Sequence, residues 1–222
     1  MSVSGKLVVV AGATSASGRA AARELEAAGA RVVAVGRDAE RLRALEGVRT
    51  EVCDLTDEAA VTALAERIHA LDGPVDGVLH LVGGWRGGGG LAGQSDADFR
   101  FLEQSFTALR HVSRAFDADL KASEAGRLAV VSSNAVERPL AGGANYTAVK
   151  AATEAWARAV AQGFAKDARD AERRLTAASV IFRVGSLAGL EWALARRFAN
   201  LWSTPASEIN DTIVELNEIG PQ

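Results

Sequence analysis

The stretch LVVVAGATSASG, residues 7–18, sets a five-residue apolar run directly against a turn carrying Gly12 and Gly18. An unbroken, β-branched run with no polar alternation reads as a strand covered on both faces, the pattern of a parallel sheet. A helical stretch follows from about Gly18 to Ala28 and is stopped by Gly29 at its C-terminus. RVVAVG, residues 31–36, is the next buried strand. Strand, glycine turn, helix and strand make one βαβ unit, and this unit decides the fold.

Outward from it the alternation continues. DAERLRAL (38–45) reads as a short helix and TEVCDL (50–55) as a third strand. TDEAAVTALAERIHAL (56–71) has Thr56 as N-cap, acids in its first turn, and Val61, Leu64, Ala65 and Ile68 on one face. GVLHLV (77–82), RLAVVSS (127–133) and TAASVIF (176–182) supply the fourth to sixth strands. A long helix spans roughly 96–121, and another about 146–168. Strands separated by long helices imply right-handed crossovers and helices on both faces of the sheet. The expected fold is α/β: one Rossmann-type domain over residues 1–222, built on a doubly wound parallel sheet.

The 222 residues are 48% apolar and 24% charged, enough for one sizeable core. A net charge of −3, with arginines interleaved among acids, argues against a nucleic-acid partner. The single cysteine, Cys53, leaves no intramolecular disulfide and reads as a small core residue. No apolar run reaches the length of a signal-peptide core or a membrane span. A cytoplasmic location with no membrane partner is expected, and no metal site is assigned.

The turn after the first strand delivers a helix N-terminus, whose free amides and dipole suit a pyrophosphate. Gly12 permits the turn and Gly18 close helix–strand packing, while Thr14, Ser15 and Ser17 offer hydroxyls to phosphate or ribose. At the opening of the first βαβ helix, such a motif points to a dinucleotide. The end of the second strand then separates the cofactors. An acid there binds the ribose hydroxyls of NAD, whereas a planar guanidinium suits the 2′-phosphate of NADP. Here Arg37 follows Gly36 and precedes Asp38. NADP is favoured, with Asp38 as the ribose ligand in the NAD alternative.

YTAVK (146–150) sets Tyr146 and Lys150 four positions apart, on one face of a helix. An unperturbed phenol titrates near about pH 10, and a neighbouring ammonium is expected to lower that value. Tyr146 then becomes a usable general acid/base.

Together, GATSASG (12–18), CDL (53–55), VVSS (130–133) and YTAVKAA (146–152) resemble the short-chain dehydrogenase/reductase (SDR) superfamily over essentially the whole chain. In that family a serine precedes the tyrosine by thirteen positions, as Ser133 precedes Tyr146 here. The resemblance implies an NADP-preferring oxidoreductase acting on a small carbonyl or heterocyclic substrate. Tyr146 is then the acid/base, Lys150 the cation that also anchors the nicotinamide ribose, and Ser133 the group that polarises the substrate oxygen. It further implies Asp54 at the adenine edge and Leu55 on the ring face. A homodimer or homotetramer is implied too, pairing the helices that carry Ser105 and Tyr146, with Trp156 either an interface anchor or core.

The chain departs from the family at three places. His80-Leu81-Val82-Gly83 stands where the family has Asn-Asn-Ala-Gly, so Val82, Gly83 and Gly84 keep the backbone path beside the cofactor and His80 reads as a packed or edge histidine rather than a catalyst. Ser105 stands where the family's long helix supplies an asparagine that holds a relay water. Val184-Gly185 stands for the Pro-Gly after the sixth strand and is assigned to the cofactor. The family's last strand and glycine-rich tail are expected to be missing, with a helix beginning near Pro205. LVGGWRGG (81–88) and LWSTPASEINDTIVEL (201–216) add a partial likeness to dihydropteridine reductases. A pterin reductase and a non-catalytic NADP-binding regulator are therefore the alternative readings. The loop 83–90 reads either as a flap carrying Trp85 over a flat substrate or as a surface loop.

Overall fold

The computed structural model describes residues 2–216. Seven strands, β1 (Leu7–Ala11), β2 (Arg31–Gly36), β3 (Arg49–Val52), β4 (Gly77–His80), β5 (Arg127–Ser133), β6 (Ala178–Val184) and β7 (Thr212–Leu216), form one sheet. All pairings are parallel, in the order β3-β2-β1-β4-β5-β6-β7. The helices are α1 (Ala16–Ala27), α2 (Ala39–Arg43), α3 (Glu58–Leu71), α4 (Asp96–Ala115), α5 (Asp117–Ala122), α6 (Ala144–Asp170), α7 (Glu191–Ala199) and α8 (Ala206–Ile209).

β1 shows why the apolar runs are unbroken. Successive side chains point to opposite faces, so Val8 and Val10 join the layer with Leu25, Phe182 and Phe198. Leu7, Val9 and Ala11 join the other layer, with Leu64, Ile68 and Phe116. Both layers exclude water from β1.

Strand order reverses between β1 and β4, and at such a switch point a crevice opens at the carboxyl ends of the strands. Gly12 sits at its floor with φ +90°, where an added Cβ would lie 2.8 Å from the Leu81 carbonyl carbon. A Cβ on Gly18 would collide with the Gly12 carbonyl, so the start of α1 presses directly onto the turn. Ser15 caps α1, its Oγ accepting from Gly18 N at 3.0 Å.

The structure corrects three expectations. Asp57, not Thr56, caps α3: its Oδ1 accepts from Ala59 N at 2.9 Å and Ala60 N at 3.1 Å. Thr56 is drawn back instead onto Asp54 Oδ1, through N at 3.0 Å and Oγ1 at 2.7 Å. The long helix expected over 96–121 breaks into α4 and α5 at Phe116, which leaves helical geometry with its ring fully buried.

The family's last strand is present, as β7. Pro205 does start a helix, but Asn210 ends it. Its Oδ1 accepts from Ser179 N and its Nδ2 donates to Ala161 O, each at 3.0 Å. Asp211 turns the chain at φ +62°. The β-branched Thr212-Ile213-Val214 then pairs along β6, from Val180↔Thr212 to Val184↔Leu216. The expected absence of the glycine-rich tail falls outside the described residues.

A buried ion pair pins α6 to the sheet. Arg183 on β6 forks onto Glu154 of α6, Nε and Nη2 each reaching a carboxylate oxygen at 2.8 Å. Arg183 also pairs with Glu137 and lies 3.9 Å from Glu215 of β7. Burial pushes the Glu154 carboxyl up, but the hydrogen bonds and positive charge of Arg183, with help from Ser132 and Arg158, together hold it low. Arg183→Met strands that carboxylate in the interior and lowers the unfolding free energy by about 3–5 kcal/mol in urea titrations. Adding Glu154→Leu recovers much of the loss; an Arg183→Met protein as stable as the parent would show that the pair contributes nothing.

Candidate active site

Two cavities of about 370 Å³ each share Ser15, Leu81, Val82 and Gly83 and so form one cleft over the switch point. One end is walled by Gly12, Thr14, Arg37, Asp54 and Leu55. The other is walled by Ser17, Gly84, Tyr146, Lys150, Val184 and Gly185. Gly18 lies beneath the floor, against Gly12. The structure thus brings the residues singled out for cofactor binding to a single groove.

Arg41, also on the wall, escaped the sequence reading although it lies one helical turn beyond Arg37. Its Nε is 3.3 Å from Asp38 Oδ2. Asp38 itself is engaged as the N-cap of α2, its Oδ1 accepting from Arg41 N at 3.0 Å. Gln104, Ser186 and Leu187 also line the cleft and carried no sequence signal.

Tyr146, Lys150 and Ser133 converge. Lys150 Nζ donates to Val131 O at 2.8 Å, on the strand that ends in Ser133. It lies 5.7 Å from the centre of the Tyr146 ring. Burial lowers Lys150 to about 8, against the opposing pull of Glu154 one helical turn on. Burial raises the Tyr146 phenol above its ordinary value, and the Ser133 hydroxyl works the other way. The acidified phenol expected from the sequence is therefore not what the structure gives, because desolvation acts on both members of the pair.

Ser105 is half-buried on α4, with its hydroxyl donating to Leu102 O of its own helix at 2.7 Å. Its carbonyl meets His80 Nε2 at 3.0 Å. His80 is buried, which lowers it to about 4 and keeps the ring neutral near neutrality. Cys53 is buried and its thiol is raised, so it is no ready nucleophile.

The glycine-rich loop after β4 is tethered across the cleft mouth. Gly88 N donates to Gly142 O at 2.7 Å, and Gln94 Nε2 reaches Gly88 O and Gly142 O at 3.0 Å each. Gln94 Oε1 accepts from Asn145 N, beside Tyr146, at 3.1 Å. Trp85 stands on the lip, 62% exposed. Trp156 packs within the chain: its Nε1 donates to Ser113 Oγ at 2.9 Å, and Phe106 meets it edge-on. Among the described residues no cluster of His, Cys, Asp or Glu could hold a metal ion, and no helix is long and apolar enough to cross a membrane.

Residues 6–168 match the family model described as short chain dehydrogenase. A curated relative, dehydrogenase/reductase SDR family member 7B of Bos taurus, is 31% identical over 68% of this chain and 50% of its own length. The match thus spans only half of that relative. The solved structure of a metagenomic short-chain oxidoreductase in complex with NADP superposes with a TM-score of 0.82 at 29% identity, covering 98% of this chain and 99% of the other. A short chain oxidoreductase from Pseudomonas aeruginosa PAO1, described as containing an atypical catalytic center, gives a TM-score of 0.85 over 100% of this chain and 99% of the other; at 20% identity it speaks to the fold alone.

The buried His80 ties stability to pH. Folded, it protonates only near about 4; unfolded, near 6.5. The unfolded chain therefore takes up the proton first as pH falls, and the stability of the neutral ring, complete above 6.5, is lost on the way down to about 4. Urea titrations should register a loss of up to about 3 kcal/mol from this group, and a correspondingly shallower slope in His80→Gln, which does not titrate. Identical slopes in both proteins would mean that the ring is hydrated when folded.

Proposed function

The chain belongs to the short-chain dehydrogenase family, and on that premise we propose that it is an NADP-preferring oxidoreductase moving hydride between a nicotinamide and a small carbonyl/alcohol pair. One observation carries the reading: Tyr146 and Lys150 line one end of a cleft whose other end carries Arg37, and the Ser133 hydroxyl acts on the Tyr146 phenol. The related metagenomic oxidoreductase, described as an NADP complex, supports the choice of cofactor. Gly12 and Gly18, where an added Cβ would strike the Leu81 backbone and the Gly12 carbonyl, hold the turn tight and so turn the start of α1 toward the pyrophosphate of a dinucleotide. Thr14, Ser15 and Ser17 would hold the pyrophosphate at the start of α1, Asp54 and Leu55 the adenine, and Arg37 with Arg41 the 2′-phosphate. Val82 to Gly84, Val184 and Gly185 would line the nicotinamide end, with Lys150 on its ribose.

The nicotinamide, when bound, supplies the hydride. The protein handles the proton. Burial keeps Tyr146 protonated through the neutral range, ready to donate to a substrate oxygen that Ser133 also polarises. Lys150 stays cationic below about 8 and stabilises the phenolate left behind. In the same reading the chain works as a single cytoplasmic domain and associates into homodimers or homotetramers through α4 and α6. A second reading, reduction of a flat heterocycle such as quinonoid dihydropterin, is favoured by Trp85 at the cleft mouth.

Steady-state assays with NADPH against a panel of carbonyls and quinonoid dihydropterin test this directly. Tyr146→Phe should cost about 10²–10⁴-fold in turnover and leave NADPH affinity nearly intact; full activity in that variant rules out the assignment. Reduction should hold steady at lower pH and decline as Lys150 loses its charge near about 8. Arg37→Asp should shift preference towards NADH, and an unchanged NADPH:NADH ratio would remove Arg37 from the cofactor site.

A further inference from the structure

Seven of the eleven residues from 83 to 93 are glycine. Three in a row, Gly88, Gly89 and Gly90, take positive φ of +124°, +65° and +62°, which side chains rarely permit. The chain curls there, tightly enough that a Cβ on Gly93 would lie 2.6 Å from Gly89 Cα. The curl closes round the side chain of Gln94. Its Nε2 shares two N–H groups among Gly88 O at 3.0 Å, Gly90 O at 3.2 Å and Gly142 O at 3.0 Å. Its Oε1 accepts from Asn145 N at 3.1 Å. Carbonyls only accept and a backbone amide only donates, so these partners fix which way the Gln94 amide faces. The Asn145 amide belongs to the first turn of α6, where amides lack a partner within the helix, and the N-cap, Gly143, has no side chain to offer. Gln94, 51 positions away in sequence, supplies that cap. Asn145 Nδ2 in turn donates to Ser95 O at 3.1 Å. The next residue is Tyr146, and Gly83, Gly84 and Trp85 at the start of the loop line the same cavity as Tyr146 and Lys150.

Resting on the function proposed above, we propose that Gln94 is a positioning residue that clasps loop 83–93 to the first turn of α6, so that closing the substrate end of the cleft and placing the Tyr146 hydroxyl are one event. The two halves of its amide do separate work. Oε1 holds the start of α6 and through it Tyr146; Nε2 holds the curled loop and through it Trp85 at the cleft mouth. Gln94 is only half-buried, and its clasp consists of hydrogen bonds with no core side chain to displace. Such a contact opens locally while the fold stays intact, and the glycines let the loop swing. Substrate enters with the clasp open and reacts with it closed.

The clasp is tested first without any turnover, by residue-resolved amide hydrogen exchange. In Gln94→Ala the amides of Gly88, Gly93 and Asn145 should exchange about tenfold faster than in the parent. In Gln94→Glu the carboxylate still accepts from Asn145 N but cannot donate to the three carbonyls. Exchange there should quicken at Gly88 and Gly93 and stay parental at Asn145. Parental exchange at all three amides in Gln94→Ala overturns the proposal, as does faster exchange throughout the chain with a fall in melting temperature. The kinetic test uses whichever substrate the parent reduces with NADPH. Gln94→Ala should lower kcat by about tenfold and raise KM, whereas Gln94→Glu should raise KM and keep kcat within about twofold of the parent. NADPH affinity should stay within about twofold in both. Equal kcat losses in the two variants, or parental kcat and KM in Gln94→Ala, overturn the proposal. A parent that turns over nothing defeats the functional reading instead, and the exchange rates then decide on the clasp alone.

Discussion

The close approach of Gly12 to the Leu81–Val82 backbone is the constraint on which the rest of the structure depends. It occurs where strand order reverses, between β1 and β4, and lets α1 start against the sheet with no side chain in between. One groove then runs along the carboxyl ends of the strands, with Arg37 and Asp54 at one end and Tyr146 and Lys150 at the other. A bulkier residue at Gly12 or Gly18 would force α1 away from β4 and split the groove. The fold places its chemistry there because every strand delivers its following loop to that edge.

Desolvation governs the electrostatics within the groove. It raises Tyr146, lowers Lys150 and lowers His80, in each case favouring the uncharged form. Lys150 keeps a usable positive charge near neutrality because Glu154, one helical turn away, pulls in the opposite direction. Glu154 in turn stays ionised because Arg183 forks onto it from β6. The buried pair therefore links sheet packing to the charge on the lysine: the interaction that anchors α6 also sets the field behind the site. Residues such as Glu154 and Arg183 touch no groove surface, yet they decide how the groove behaves.

What the sequence by itself determined is what short-range physics can encode. The β1–α1–β2 unit is legible because unbroken apolar runs and glycine punctuation act over a few residues, and the shared face of Tyr146 and Lys150 because helical spacing does. The pairing of Arg37 with the end of β2 and the run of parallel strands follow in the same way. What only the tertiary structure decided lies in contacts between distant segments. β7 forms because Asn210 finds Ser179 and Ala161, far away in the chain, and local signals from Pro205 to Glu208 said helix. The direction of the Tyr146 shift depends on how deeply α6 is buried, which no spacing of residues contains. The orientation of His80 onto Ser105, and of the Ser105 hydroxyl away from the groove, exists only once β4 and α4 are packed together. Periodicity specifies which face a residue takes, but burial and the partners waiting on that face are properties of the assembled chain.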